Sequence, residues 1–316
     1  MDRFDAIRTL LAAVDGGSLT AASHKLGMPL PTVSRKVSEL EAHLGTQLVT
    51  RTSRKLLLTD AGRTFVAAGR RLLEDLDEAE RVAAGEYRTP RGDLLVTASI
   101  MFGKLYVTPV VLAFLAAYPE VNVRVVLFDH VIDLVENHVD VAVRIGPLPD
   151  SGLVAVRIGE IHWVICASPA YLTTRGTPVT PDDLAEHDCI GFEGLQMVRT
   201  WPFGRRRDAK TVAIKPRFTA NTADAVVEAA IAGVGIARLT SYQAARAIRE
   251  GQVISLLRGY APESLPVHLV HTGPPLLPLK MRAFLDFAGP RLKASLAEIS
   301  TAVLPDDAGA TTGRRA

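Results

Sequence analysis

Apolar positions near the N-terminus recur at helical spacing, and each run is closed by a glycine or opened by a capping residue. Phe4, Ile7, Leu10, Leu11 and Val14 form one stripe, which Gly16-Gly17 stop. Ser18 is placed to cap a second helix carrying Ala21, Ala22 and Leu26. Gly27 ends it at the position where a helix C-terminus favours glycine. After Met28-Pro29-Leu30 a third helix opens with Pro31 in its first turn, where a missing N–H costs little, and runs to about Leu44. Val33, Val37, Leu40 and Leu44 make its buried stripe. Next, Leu48 and Val49 lead into the basic turn Arg51-Thr52-Ser53-Arg54-Lys55, and Leu56–Leu58 return to the core as the second arm of a hairpin.

A different spacing follows. Thr59-Asp60 open a long helix that reaches about Tyr87. Along it Phe65, Gly69, Leu72, Leu76, Ala79 and Ala83 alternate steps of four and three, the seam of a two-stranded coiled coil. Such a helix is about 40 Å long at ~1.5 Å per residue. It ends at the linker-like Arg88-Thr89-Pro90-Arg91-Gly92. A dimerisation helix fits better than a core helix, with Phe65, Leu72, Leu76 and Ala79 as the dimerisation residues.

From Asp93 strands alternate with helices. Strands are expected at 94–98, 121–128, 139–145, 163–167, 212–218, 236–237 and 266–271. Helices are expected within 104–118, as a turn or two at 132–137, over the alanine-rich 225–232 with Asn221 as cap and Gly233 as stop, and over 279–296. This alternation means α/β layers with mostly parallel strands. Residues after about Ser300 are small, polar and proline-containing, a composition expected to be disordered.

Length and charge change the picture only modestly. At 316 residues, two or three domains are expected. A formal charge of +2 does not advertise a nucleic-acid partner, so that case rests on local pattern. Two cysteines, Cys166 and Cys189, are too few and too far apart for a disulfide framework or CxxC chemistry, which fits a reducing cytoplasm. The first fifteen residues lack the basic start, apolar centre and small-residue cleavage site of a signal peptide. No apolar run reaches the ~20 residues of a membrane span. The expected location is the cytoplasm, away from any membrane.

The third helix carries the first chemistry. Opposite its apolar stripe lie Pro31, Ser34, Arg35 and Ser38, with Lys36 beside them. Short hydroxyls let a backbone approach a major groove, and arginine reaches a guanine edge or a phosphate. On an isolated helix a solvated face is the commoner reading. Two helices joined by a short glycine-containing turn make a helix-turn-helix, which favours DNA. The cations Arg51, Arg54 and Lys55 of the hairpin suit phosphate contacts.

The run GSLTAASHKLGMPLPTVSRKVSELEAHLGTQLVTRTSRKLLLTDAG resembles the LysR-type transcriptional regulators nearly residue for residue from Gly17 to Gly62. The resemblance places Pro31, Thr32, Ser34, Arg35 and Lys36 at DNA-reading positions and Arg51 and Arg54 on a wing. It departs at Pro29, where relatives carry a capping Ser or Thr, a difference worth ~1 kcal/mol. ASPAYL, DDLAEHDCIGF and Gly233-Val234-Gly235-Ile236 extend the resemblance more loosely into the second part. It implies an α/β protein with an all-α N-terminal part. A winged helix-turn-helix (1–60) and a linker helix (61–90) precede a two-lobed, periplasmic-binding-protein-like effector domain (91–300) and a tail (301–316). Lobe 1 would take 91–165 and 267–300, and lobe 2 would take 166–266, with crossings near Cys166 and Val267. The implied partners are double-stranded DNA, a small effector, a second copy in a homodimer or homotetramer, and RNA polymerase if the protein activates.

Ligands of open α/β sheets sit beyond the carboxyl ends of strands. That rule selects Ser99, Ile100, Met101, Phe128, Arg144, Gly146, Asn221 and Thr222, with Trp201 added. A helix N-terminus, a hydroxyl and a cation suit a small organic anion. For each residue a cap, a salt bridge or a core position is the competing role. No cofactor or metal is expected. GxSxG, HExxH and GxxxxGK[ST] are absent, Gly233-Val234-Gly235 lacks a third glycine, and His187 beside Cys189 is one thin pair. An enzyme is therefore not expected. A transport solute receptor would have no use for residues 1–90, and an architectural DNA-binding factor none for a hinged α/β domain.

Overall fold

The computed structural model describes residues 2–51, 56–83, 89–130, 132–192, 199–273 and 277–303. The chain divides into two compact units, 1–89 and 90–316.

The first unit holds α1 (Arg3–Asp15), α2 (Leu19–Leu26), α3 (Leu30–Leu44), β1 (Val49–Arg51), β2 (Leu56–Leu58) and α4 (Asp60–Ala83). Local signals close each element as expected. Ser18 Oγ accepts from Ala21 N at 3.0 Å, and Gly27 and Gly45 end their helices in the left-handed region at φ 61° and 66°. Ile7, Leu10, Leu11, Val37, Leu40, Leu48, Val66 and Leu73 make the core. Leu44, expected in that stripe, is 38% exposed: it is the last residue before the Gly45 stop and nothing covers it. β1 and β2 pair antiparallel with Val49 opposite Leu58 and Arg51 opposite Leu56. Gly62 touches this hairpin so closely that a Cβ would stand 1.9 Å from Leu48 O.

The second unit contains two five-stranded sheets. β3 (Gly92–Ala98), β4 (Val121–Leu127), β5 (Val141–Ile145), β6 (Leu153–Ile161), β7 (Trp163–Ala167), β8 (Asp188–Phe192), β9 (Thr200–Phe203), β10 (Lys210–Ala213), β11 (Lys215–Ala220), β12 (Ile236–Thr240), β13 (Ile254–Leu256) and β14 (Leu265–Thr272) follow in order. Lobe 1 has the order β4-β3-β5-β14-β6, lobe 2 the order β11-β8-β12-β7-β13, and β9 pairs with β10 apart from both. The helices are α5 (Ile100–Phe102), continued by a π turn (Gly103–Val107) into α6 (Thr108–Ala117), then α7 (Pro169–Arg175), α8 (Ala223–Ile231), α9 (Ser241–Arg249) and α10 (Leu279–Val303). Residues 100–117 are apolar, with mean hydropathy 1.9, yet Phe102, Val107, Val111 and Phe114 are buried in the lobe 1 core.

Five differences from the sequence expectations appear. The strands are not mostly parallel: β3 runs parallel to β4 and β5, but β14 runs against β5 and β6, and β7 against β12 and β13. The antiparallel strands are those adjoining the two crossings between lobes, a pairing that periodicity does not encode. The first crossing lies at His162 and not near Cys166, because Trp163–Ala167 already pairs inside lobe 2. A nine-residue strand, Leu153–Ile161, had no counterpart in the reading; Val154 and Val156 are 43% and 51% exposed, so no inside–outside alternation marks this edge. The single strand expected at 212–218 is two, β10 and β11. The last helix continues through Val303, past the expected start of the tail, and residues 304–316 lie outside the described residues.

Candidate functional site

The candidate DNA face is built by the turn between α2 and α3. Gly27 reverses the chain, Met28 N returns to Ser23 O at 3.1 Å, and Ser23 Oγ donates to Met28 O at 2.6 Å. Pro29 stands at the start of α3 with no side-chain cap, and Pro31 lies in the first turn. With Val33, Val37 and Leu40 buried, the opposite face presents Pro31, Arg35 and Ser38 exposed, and Thr32 and Ser34 half-buried. Arg35 is 69% exposed at its side chain and, among the described residues, pairs with Glu39 of the next turn at 3.9 Å.

Lys36 sits differently. Its Nζ pairs with Asp5 of α1 and lies 3.4 Å from Met28 Sδ, and its side chain is only 20% exposed. It joins α3 to α1 instead of standing free on the front. A residue the sequence reading passed over, Glu41, accepts from Leu48 N (2.8 Å) and Val49 N (3.0 Å), and so ties α3 to the first hairpin strand. Arg54 and Lys55 lie outside the described residues, as does the side chain of Arg51.

On α4, Phe65 packs against the core of its own domain. Gly69 is buried with Ile7 Cγ2 at 3.0 Å from where its Cβ would be. The first half of the expected dimer seam is therefore spent within the domain, because α4 must also cover α1. Arg8–Asp77 (3.0 Å) and Arg70–Asp15 pairs fasten that contact. Leu72 stays 47% exposed and Leu76 half-buried, while the side chain of Ala79 lies outside the described residues.

In the second unit, strand register brings several candidates into one row. β3 pairs with β4 and β5 in parallel, Ala98 beside Leu127 and Thr97 beside Ala142. Continued past the last paired residues, by one from Ala98–Leu127 and by two from Thr97–Ala142, this register sets Phe128, Ser99 and Arg144 in one row, and β14 pairs His268 with Arg144. Ser99 Oγ is buried without a hydrogen-bond partner of good geometry among the described residues. The phenol of Tyr242, at the start of α9, is its neighbour. Arg144 donates to Ile132 O at 2.7 Å and meets no carboxylate among the described residues; burial lowers its pKa. His268 Nδ1 is likewise buried and unpartnered, and burial, then Arg157, hold its pKa below the usual histidine value.

The remaining candidates divide. Ile100 is 37% exposed and donates its N–H to Asp129 Oδ1 at 3.0 Å. Met101 packs against both lobe cores. Gly146 is a turn residue at φ 107°, its N–H bonded to Pro266 O at 2.8 Å. Thr222, not Asn221, is the N-cap residue of α8, and it makes no side-chain cap; Asn221 is exposed. The first turn of α8 reaches lobe 1 through Asp224 and Lys104 at 3.9 Å. Trp201 is a correction: at 3% exposure it packs with Phe203, Val212 and Ile165 in a lobe 2 core, since the hairpin β9–β10 folds its apolar face onto the sheet. His268 and Tyr242 escaped the sequence reading because each reaches the row through a strand pairing or a lobe contact.

Comparison with known proteins bears on both sites. Residues 4–63 match the bacterial regulatory helix-turn-helix protein, lysR family, and residues 88–293 match the LysR substrate binding domain. The transcriptional regulator PtxR of Pseudomonas aeruginosa is 34% identical over 276 residues, 87% of this chain and 88% of that protein. The structure of CrgA, a LysR-type transcriptional regulator from Neisseria meningitidis, is similar at 31% identity and TM-score 0.58, covering 92% of this chain and 98% of that one. Full-length LysG from Corynebacterium glutamicum, with bound effector Arg, is similar at 25% identity and TM-score 0.57, covering 92% and 98%. With a DNA-binding helix-turn-helix unit followed by an effector-binding α/β unit, the chain belongs to the LysR-type transcriptional regulators.

Proposed function

We propose that this regulator responds to a small organic anion held at the row Phe128–Ser99–Arg144–His268, and that Arg35 and its neighbours on α3 read the operator. One observation carries the effector assignment. A partly buried guanidinium that meets no carboxylate among the described residues, and a buried hydroxyl whose neighbour is the Tyr242 phenol, fall at the carboxyl end of one sheet. Unpaired buried polar groups cost free energy, and a carboxylate accepts from both. Phe128 and Met101 offer apolar surface to the rest of such a ligand. Met101, packed on both lobe cores, and Tyr242, beside Ser99, give a bound ligand a route to the second lobe.

The effector class is tested by thermal shift on the full chain with a library divided into carboxylates, neutral sugars and amines. A ligand that binds only the folded state adds about 2.7 kcal/mol at a hundredfold excess over Kd. Carboxylate hits that disappear in Ser99→Ala and Arg144→Ala are expected. Hits among neutral compounds only, or carboxylate hits indifferent to both substitutions, overturn the assignment. The exposed Leu72 and half-buried Leu76 on α4 support a dimer contact through the linker helix, as does its heptad spacing.

A further inference from the structure

A second cavity lies wholly apart from that row, on the side of lobe 2 next to the crossing between lobes. It measures about 110 Å³ and is bounded by β7, β12, the β9–β10 hairpin, the segment after β13 and the end of α10. Four of its lining residues are basic (His162, Arg205, Arg238 and Arg258), and none of the described lining residues is acidic.

Arg238 is the centre of this arrangement. Its guanidinium lies 3.6 Å over the ring of Trp163, its Nε is buried, and no described residue accepts a hydrogen bond from that atom. A buried Nε–H without an acceptor is costly, and an aromatic face offsets only part of that cost. Burial lowers the Arg238 pKa to about 10, so the group stays charged at neutral pH. A wider groove shares Phe203, Arg205, Arg258 and Ala261 with the cavity and is lined further by Lys210 and Asp208. Apolar residues line it as well: Ile165 and Leu256 stand beside Arg238 in adjoining strand positions, with Phe203 and Leu257 near them. Guanidinium groups set directly beside hydrocarbon suit a ligand that is anionic at one end and apolar at the other.

We infer that this cavity is a second binding site, for a short-chain carboxylate whose oxygens face Arg238 and whose tail lies against Leu256 and Phe203. None of the residues of the Ser99 row lines it, so it works independently of the effector assignment above. His162 lies in its wall and is also the crossing residue, bonded to Ser241 at both backbone groups (Ser241 N to His162 O at 2.7 Å, His162 N to Ser241 Oγ at 3.2 Å). A ligand here therefore bears directly on the connection between the lobes. A competing occupant is the chain itself: Val303 lines the cavity, and Asp306 and Asp307 follow it closely in sequence.

Tryptophan fluorescence of the full chain tests the site, because Trp163 and Trp201 are its two tryptophans and Trp201→Phe leaves Trp163 as sole reporter. Butyrate is titrated at constant ionic strength against its neutral isostere butyramide. The expected result is a saturable change with butyrate alone, weakened at least about tenfold in Arg238→Gln and several-fold in Arg205→Gln, a charge-assisted contact being lost in each. Ser99→Ala and Arg144→Ala leave it unchanged, which separates this site from the row. Arg205 is exposed, so its substitution keeps the test valid if Arg238→Gln fails to fold. Equal responses to butyramide, or butyrate binding indifferent to both arginine substitutions, overturn the inference. So does binding that emerges only after Asp306→Asn and Asp307→Asn, which would make the cavity a seat for the chain's own acidic segment.

Discussion

Replacing Arg35 by alanine separates DNA reading from folding. The side chain is 69% exposed and its one described contact is Glu39 one turn on, at 3.9 Å. An exposed i,i+4 pair is worth about 0.2–0.5 kcal/mol, and alanine recovers part of that through helix propensity. Arg35→Ala should thus leave the urea midpoint within about 0.5 kcal/mol of wild type. If the guanidinium makes a bidentate contact to a guanine edge, operator affinity falls by about 1–3 kcal/mol, or roughly 5- to 150-fold. Lys36→Ala is the counter-experiment on the next residue. Its ammonium is spent on Asp5, so the folded domain loses about 0.5–1 kcal/mol after solvent screening at Asp5, with little change in affinity per folded molecule. Fluorescence anisotropy on a duplex selected by the wild-type protein, and on a scrambled duplex, at several salt concentrations reads affinity; circular dichroism in urea reads stability. Wild-type operator affinity in Arg35→Ala would refute the base-reading role. An equal loss on both duplexes would reassign Arg35 to a phosphate.

Four further outcomes are expected. Gly62→Ala drives a Cβ to 1.9 Å from Leu48 O and should cost the N-terminal domain about 3 kcal/mol, visible as an early first transition in a urea melt. Leu72→Lys with Leu76→Lys puts unpaired charge on the exposed apolar part of α4; sedimentation should show a lighter species, and an unchanged species would locate the main interface elsewhere. Cys166 and Cys189 are buried and burial pushes both thiols up to about 12, so Ellman's reagent should find neither until the chain is unfolded. His162 and His268 are both held below the usual histidine pKa, first of all by burial, so below pH ~6.5 the unfolded chain takes up protons before the folded one does. Stability should therefore fall as pH drops below ~6.5, and a thermal-melt series should flatten in His268→Gln.

Local chemistry determined much of the N-terminal unit. Ser18, Gly27, Pro31 and Gly45 act within a few residues of themselves, so their caps, stops and turns can be read without knowing what packs where. The division of α3 into a buried stripe and an exposed face also followed from spacing alone, save at Leu44, where no neighbour arrives to complete the cover. Positions whose role depends on a distant partner were decided only by the tertiary structure. Lys36 reads as a surface cation until Asp5, thirty-one residues earlier, is brought beside it. Phe65 and Gly69 fit a heptad, yet α1 takes them first, since covering a domain's own core and forming a dimer seam use the same apolar period. The row proposed for the effector is the clearest case. Phe128, Ser99 and Arg144 were each chosen as strand ends, but their adjacency, and the arrival of His268, comes from the order β4-β3-β5-β14, with antiparallel β14 entering after a passage through the other lobe. Hydrogen bonding between strands is indifferent to sequence distance, so that order is settled by packing and not by any local pattern of residues.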